Sequence, residues 1–367
     1  MQRFSSYRDF DWTLLSLLGI LSVISVLEIR SATMMTKFHG FDHKQIQFLA
    51  IGLVLMFLIS MVDYHRLIDL SSWLYGIFLL LLIAVRFVGT TVLGAKRWIK
   101  FPGGIHFQPS EWMKLVLILC VARFFWTRAG KPLTWGDIFK AFLLVGVPLL
   151  VVFKLQSDFG TSLTYIPILL AGLFLGGISW KQAGMLILGF ALLVGGVAKS
   201  GKVLKPYQVA RLTSFINPDA DPKGSGYQVL QSRIAVGSGG IWGKGAYHGT
   251  QTQGDFLPIP YTDFIFAALS EEHGFIGAVL VLLLYFLILM RLIQNAQTAK
   301  DVPGTLIVMG IVAVLTFQIA VNVGMVVGLM PVTGIPLPLL SYGGSSVLFA
   351  FLSLGIVMNI RMRRFVN

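Results

Sequence analysis

The chain predicts an all-α, polytopic integral membrane protein of about ten transmembrane helices with one large extramembrane loop, on three observations. Of its 367 residues, 56% are hydrophobic and only 12% are charged, and the mean hydropathy of +0.79 lies far outside the range of a soluble chain this long. The apolar residues are gathered into runs long enough to cross about 30 Å of hydrocarbon, which takes about 20 helical residues each. The short alternating segments of a membrane β-barrel are missing.

Taken in order, the apolar spans fall at roughly 12–29, 45–62, 70–91, 109–125, 137–153, 162–177, 182–198, 263–290, 304–329 and 338–360. Arg3 and Arg8 precede the first span as in a signal peptide. The run is too long, however, and lacks a small-residue cleavage pattern, so it reads as a retained helix. An even number of spans puts both termini on one side. Arg3, Arg8, Arg291, Arg361, Arg363 and Arg364 point to that side as cytoplasmic. The assignment places about 13 Lys and Arg inside and 14 outside; setting aside the seven in the long loop leaves 13 against 7. The basic residues kept outside, Lys96, Arg97, Lys100, Lys154, Arg211 and Arg233, suit either an anionic ligand such as a phosphorylated lipid or ordinary solvated loop charge.

The long loop covers about 199–262. It is rich in Gly and polar residues, with an amphipathic piece near 227–236 suited to the membrane surface. No GxxxxGK[ST] stretch and no strand followed by GxGxxG occurs, which excludes a phosphate-cradling nucleotide site. The net charge of +13 is scattered among loops, not gathered on a soluble domain, so nucleic acid is not the expected partner. The single Cys120 lies in an apolar run and excludes an intramolecular disulfide.

Four polar clusters fall at the outer ends of their spans. The loop turning at Pro258 and Pro260 leads to Thr262, a candidate N-cap, and to Asp263 in the first turn of the eighth span. Ser270, Glu271, Glu272 and His273 follow in the same helix, and ionisable groups at that depth default to a functional reading. Pro109 and Ser110 open a helix in which Glu111 and Lys114 share one face; they either neutralise each other locally or meet a ligand together with Arg97, and nearby Trp98 and Trp112 suit an interfacial belt. Lys154, Gln156 and Asp158 form the third cluster. In the fourth, three prolines precede Ser341, Gly343, Gly344, Ser345 and Ser346, which fits either close helix packing or a watered pocket. Convergence of the four would make one outward-facing polar cavity. Asp263 would be its general base, with burial raising its pKa and the helix dipole and nearby cations lowering it.

The segments GAKRW (94–98), QPSEWMK (108–114), SDFGTS (157–162), RLTSFINPDADPKGSGYQVLQS (211–232), TDFIFAALSEEHGFIG (262–277) and PLPLLSYGGSS (336–346) resemble, in content and order, the motifs of the SEDS family. One SEDS-type transmembrane domain over 1–367 is therefore expected. The Gly249–Gln251 segment and the short tail are closer to the family's elongation branch than to its division branch.

The resemblance implies a peptidoglycan glycosyltransferase of the bacterial cytoplasmic membrane that polymerises lipid II into glycan strands at the outer face. Its implied partners are a class B penicillin-binding protein, which crosslinks the strands, and other elongation-complex membrane proteins. It carries the family's essential aspartate onto Asp263 and substrate-cavity positions onto Arg97, Trp98, Glu111 and Lys114, with Asp158 and Ser341 following. Arg211 joins Arg97 and Lys114 as a counter-charge for the leaving pyrophosphate, with or without a divalent cation, for which the sequence holds no ligand signature. The chain departs from the family where relatives carry an acid and a histidine just before the aspartate; here Ile259 and Tyr261 stand in those places. A lipid flippase, an ion-coupled transporter and a noncatalytic scaffold are the competing readings, the transporter weakened by the lack of an internal repeat.

Overall fold

The computed structural model describes residues 9–34, 36, 38–92, 95–100, 106–200, 209, 211, 213–215, 217, 221 and 224–364. Arg3 and Arg8, Gly94 and much of the first third of the predicted loop lie outside the described residues.

Every predicted span falls on helix. Helices α1 (Trp12–Thr33), α2 (Phe41–Met61) and α3 (Tyr64–Val88) lead into a small antiparallel sheet of β1 (Thr90–Val92), β2 (Ala95–Lys100) and β3 (His106–Phe107), in that spatial order. Thr90 pairs with Trp98, and Ile99 with Phe107. This sheet is too short and polar to register in a search for apolar runs. There follow α4 (Pro109–Trp126), α5 (Trp135–Val151), the five-residue α6 (Phe159–Leu163), α7 (Ile166–Leu175), α8 (Trp180–Ser200) and α9 (Ser225–Ser238). The series closes with α10 (Thr250–Gln253), α11 (Ile265–Gln297), α12 (Val302–Val326) and α13 (Gly344–Met362). Among the described residues, seven helical stretches are long and apolar enough to cross a membrane: α1, α2, α3, α5 with its continuation to Gln156, α11, α12 and α13. Of the other predicted spans, α4 carries Glu111, Lys114 and Arg123 in 18 residues, and Phe159–Leu175 is shorter.

Side-chain caps start several of these helices where the sequence offers an oxygen ahead of an apolar run. Asp11 accepts from the Leu14 N–H, Asp63 from His65 and Asp301 from Gly304, and Thr134 and Asp137 form a capping box. The interior belongs to α12 and α13: 83% of the apolar stretch of α13 is buried, against 22% for the peripheral α3. Helices α2 and α13 approach most closely where a Cβ on Gly52 would collide with Phe351 and one on Gly355 with Ile59, the small-residue packing that lets membrane helices touch. At one end of the bundle Asp11 Oδ2 accepts from Arg291 at 2.9 Å and Arg361 at 3.1 Å. Those bonds tie α1, α11 and α13 together and bring Asp11 beside Arg361 at one end of the bundle.

Four expectations are corrected. Helix α11 begins at Ile265 with Phe264 as N-cap, so Thr262 is no cap and Asp263 lies in the turn ahead of the helix. Nor is α11 continuous, because Gly274 (φ 65°, ψ −164°) breaks it. The glycine-rich loop fills that break: the Lys244 and Gly245 N–H groups donate to the carbonyls of Glu271 and Glu272 at 3.0 and 2.9 Å, and the Phe275 N–H donates to Gly240 O at 2.9 Å. Gly243 permits this approach, since a Cβ there would strike the Glu272 carbonyl. The last helix starts at Gly344 instead of 338, because Pro331, Pro336 and Pro338 withhold helix donors from the segment before it. The predicted surface piece 227–236 is α9, which turns Val229, Ser232 and Ala235 inward; Ser232 Oγ donates to Val326 O at 3.1 Å.

Candidate active site

Strand β2 carries Arg97 and Trp98 over the end of the bundle opposite the termini. Asp158 reaches the same place by another route. After α5 the backbone widens into a π turn, Val152–Gln156, held by Gln156 Nε2 donating to Leu82 O at 3.0 Å. Ser157 then adopts φ 54°, and Asp158 caps α6. The buried Asp158 carboxylate accepts from Thr161 N–H (3.1 Å), Thr161 Oγ1 (3.0 Å) and Gln108 Nε2 (3.0 Å), and Arg97 Nη1 stands 3.3 Å from its Oδ2. The second and third clusters therefore meet, through Arg97, Gln108 and Asp158.

Asp263 is fixed through its backbone. Its carbonyl accepts from Asn322 Nδ2 at 2.9 Å, and the same amide donates to Ile335 O at 2.8 Å. The preceding carbonyl, of Thr262, accepts from Ser341 Oγ at 2.6 Å, and Ser341 Oγ also takes the Leu337 N–H at 2.8 Å. The carboxyl of Asp263 abuts Gly334, and Arg211 Nη1 donates to the neighbouring Thr333 O at 3.1 Å. Burial raises the pKa of Asp263 above the ordinary carboxylate value; Arg211 and Arg97 pull it back and the Asp158 charge adds to the rise. Two guanidinium groups and two carboxylates thus converge from β2, the long loop, the α6 cap and the α11 approach.

Glu111 and Lys114 pair with each other, and both Glu111 and Asp158 lie close enough to Tyr165 to act on its hydroxyl. Both members of the pair are buried, Lys114 completely. Its Nζ donates to Glu111 Oε2 at 2.7 Å and lies 4.2 Å from the centre of the Phe349 ring. Backbone contacts join their helix to the rest: Gln108 N–H donates to Ser345 Oγ at 3.1 Å, and Tyr165 Oη to Ser110 O at 2.9 Å. Trp98 is half-buried, its ring edge-on to His106.

The acidic residues of α11 divide. Glu271 lines no cavity with Asp263; its carboxylate anchors the loop, accepting from Lys244 Nζ (2.7 Å), Gln251 N–H (2.8 Å), Thr252 N–H (3.0 Å) and Thr252 Oγ1 (2.9 Å). Glu272 and His273 turn toward α1.

At the departures, Tyr261 packs its ring 4.9 Å from Phe38 and 5.3 Å from Phe41, and Ile259 adopts φ 49°. Of the five non-glycine residues with positive φ among the described residues, Ser157, Ile259 and Leu339 each lie within four residues of Asp158, Asp263 or Ser341. A β-branched residue in that region is strained, and such strain gathers at functional sites. Sequence reasoning passed over Gln108 and Asn322. Asn322 left one signal, an amide that, with Gln318, interrupts an otherwise apolar span.

The chain has known relatives in both sequence and fold. The family model for the cell cycle proteins FtsW, RodA and SpoVE matches residues 9–365. The chain belongs to this SEDS family. It is 39% identical over 325 residues to the peptidoglycan glycosyltransferase MrdB of Escherichia coli, covering 89% of this chain and 86% of that protein. Stage V sporulation protein E of Bacillus subtilis is 40% identical over 331 residues, with 87% and 86% covered. The peptidoglycan glycosyltransferase RodA of Treponema pallidum is 34% identical over 99% of this chain and 100% of its own. Among solved structures, a chain from a peptidoglycan synthase complex that coordinates polymerisation and crosslinking superposes with a TM-score of 0.84 at 31% identity, covering 98% of this chain and 99% of that one. The rod shape determining protein RodA of Thermus thermophilus superposes at 0.71 with 30% identity and 98% of each chain covered. The chain is thus a multi-pass membrane protein of SEDS type.

Proposed function

We propose that this SEDS protein is an inverting peptidoglycan glycosyltransferase that polymerises lipid II at the outer face of the bacterial cytoplasmic membrane for cell elongation, with both termini in the cytoplasm. The observation that carries the reaction is Asp263: a half-buried carboxyl with a raised pKa, held by its backbone and faced by Arg97 and Arg211. A base needs a pKa near working pH, and a departing pyrophosphate needs fixed cations.

In the transfer, the acceptor sugar 4-hydroxyl oxygen bonds to the donor's anomeric carbon and its proton passes to Asp263. The anomeric bond to the lipid pyrophosphate breaks with the electron pair on the leaving oxygen, and Arg97 and Arg211 hold the resulting charge. Asp263 then returns its proton to water. Asp158 orients Arg97, and Trp98 offers a face to the substrate. Ser341 positions the Asp263 turn through Thr262 O, and the Glu111–Lys114 pair holds the α4 wall of the cavity. A divalent cation beside the pyrophosphate would share this charge-neutralising work with the arginines.

The crosslinking partner is a class B penicillin-binding protein, and other elongation-complex membrane proteins accompany it. Support for the first comes from the superposition on a synthase-complex chain. The test is lipid II polymerisation by purified protein with its partner present and the partner's transpeptidase blocked. Wild type should make glycan strands and Asp263→Asn none. Lipid II crossing vesicles without polymer formation would replace the transferase with a flippase.

A further inference from the structure

Away from Asp263, three side chains meet where α1 faces the break in α11. Glu28 Oε1 lies 3.1 Å from His273 Nδ1. Glu272 takes the Ser31 hydroxyl on Oε1 and the Tyr247 N–H, at 3.2 Å, on Oε2. One donor atom from each of Glu28, Glu272 and His273 lies within 4.8 Å of the others.

Two features of the cluster ask for a cation. The first is an orphan: Glu28 is 4% exposed, yet its Oε2 is buried with no hydrogen-bond partner among the described residues. A buried carboxylate oxygen left so is costly. The second is charge. Among the described residues, His273 is the only basic group ion-paired to either acid. Two carboxyl groups thus share one imidazole in the membrane region. A divalent ion with a neutral imidazole balances both carboxylates.

From this geometry we propose that Glu28, Glu272 and His273 bind a divalent transition-metal ion of the Mn²⁺–Zn²⁺ class. An imidazole nitrogen among carboxylate oxygens suits those ions better than Ca²⁺, which takes oxygen ligands. Metal–ligand bonds of about 2.1 Å require donors about 3–4 Å apart, which side-chain rotation supplies from the observed spacing. His273, the third ligand, is partly exposed at the edge of the cluster. Once bound, the ion staples α1 to the helix break that the glycine-rich loop fills, where the Tyr247 N–H already holds Glu272. The site stands apart from the assignment of Asp263.

The experiment uses the full chain in lipid nanodiscs, stripped with chelator and titrated with Mn²⁺ while free Mn²⁺ is followed by electron paramagnetic resonance, with Zn²⁺ as competitor. Wild type and D263N should each bind one equivalent, displaced by Zn²⁺, and E28Q and H273N should bind at least tenfold more weakly. Because His273 is partly exposed, H273N carries the test if E28Q does not fold. No stoichiometric binding by wild type would overturn the proposal, as would binding that survives E28Q and H273N. Loss of binding in D263N would also overturn it and move the ion to the Asp263 cavity.

Discussion

Arg97 Nη1 stands 3.3 Å from Asp158 Oδ2, joining strand β2 to the cap of α6. Asp158 is 3% exposed and the Arg97 side chain 28%. Arg97→Gln should cost about 1–3 kcal/mol, between the values for exposed and fully buried pairs, and should lower polymerisation at least tenfold. Arg97→Lys should not restore the rate, since a point charge does not reproduce a guanidinium fork. Thermal melting and strand synthesis, measured on the same preparations, check both.

The sign of the Asp263 shift makes stability and activity diverge. Burial is the largest cause of its raised pKa, so the folded protein holds that proton more tightly than the unfolded chain. Its contribution to stability is present in full below the unfolded carboxylate pKa and is lost as pH rises through the folded value. Asp263→Asn should therefore melt no lower than wild type at neutral pH, with any advantage vanishing in acid. Polymerisation should fall by about 100-fold or more in the variant, and in wild type should decline on the acid side as the base is protonated. A variant that melts well below wild type at pH 7 would contradict this.

Asn322 Nδ2 donates to both Asp263 O and Ile335 O. Asn322→Leu leaves the buried Ile335 carbonyl and the part-buried Asp263 carbonyl without this donor and should cost about 2–4 kcal/mol. It should reduce kcat more than KM, because the amide touches the backbone of the proposed base and not the substrate. Melting and steady-state kinetics separate this from a purely structural loss, which would lower the folded fraction and leave kcat per folded molecule unchanged.

Lys114→Met strands the Glu111 carboxylate in a buried site and should cost about 3–5 kcal/mol. Adding Glu111→Gln should recover at least half of that stability, and a double-mutant cycle measures the coupling. If the pair only shapes the α4 wall, polymerisation should recover along with stability in the double variant.

Much of the architecture was legible in the sequence because a membrane span is a local property of composition: an apolar run of sufficient length has to become helix to satisfy its backbone. The same logic singled out Asp263, Asp158 and Arg97, charges that an apolar chain does not keep at the membrane without partners. The partners themselves were not legible. Asp158 takes Gln108, which is 50 residues away in the chain, and Asn322 holds a carbonyl 59 residues away. Nothing in the sequence distinguished Glu271, which anchors a loop, from Glu272 one residue later, which turns to α1. Gly274 made that difference, since its left-handed conformation breaks the helix and lets loop amides replace helical ones. The sequence by itself determined the membrane class and the spans and singled out Asp263 as the candidate base. Only the tertiary structure decided which polar groups meet, because those contacts join segments that carry no local record of each other.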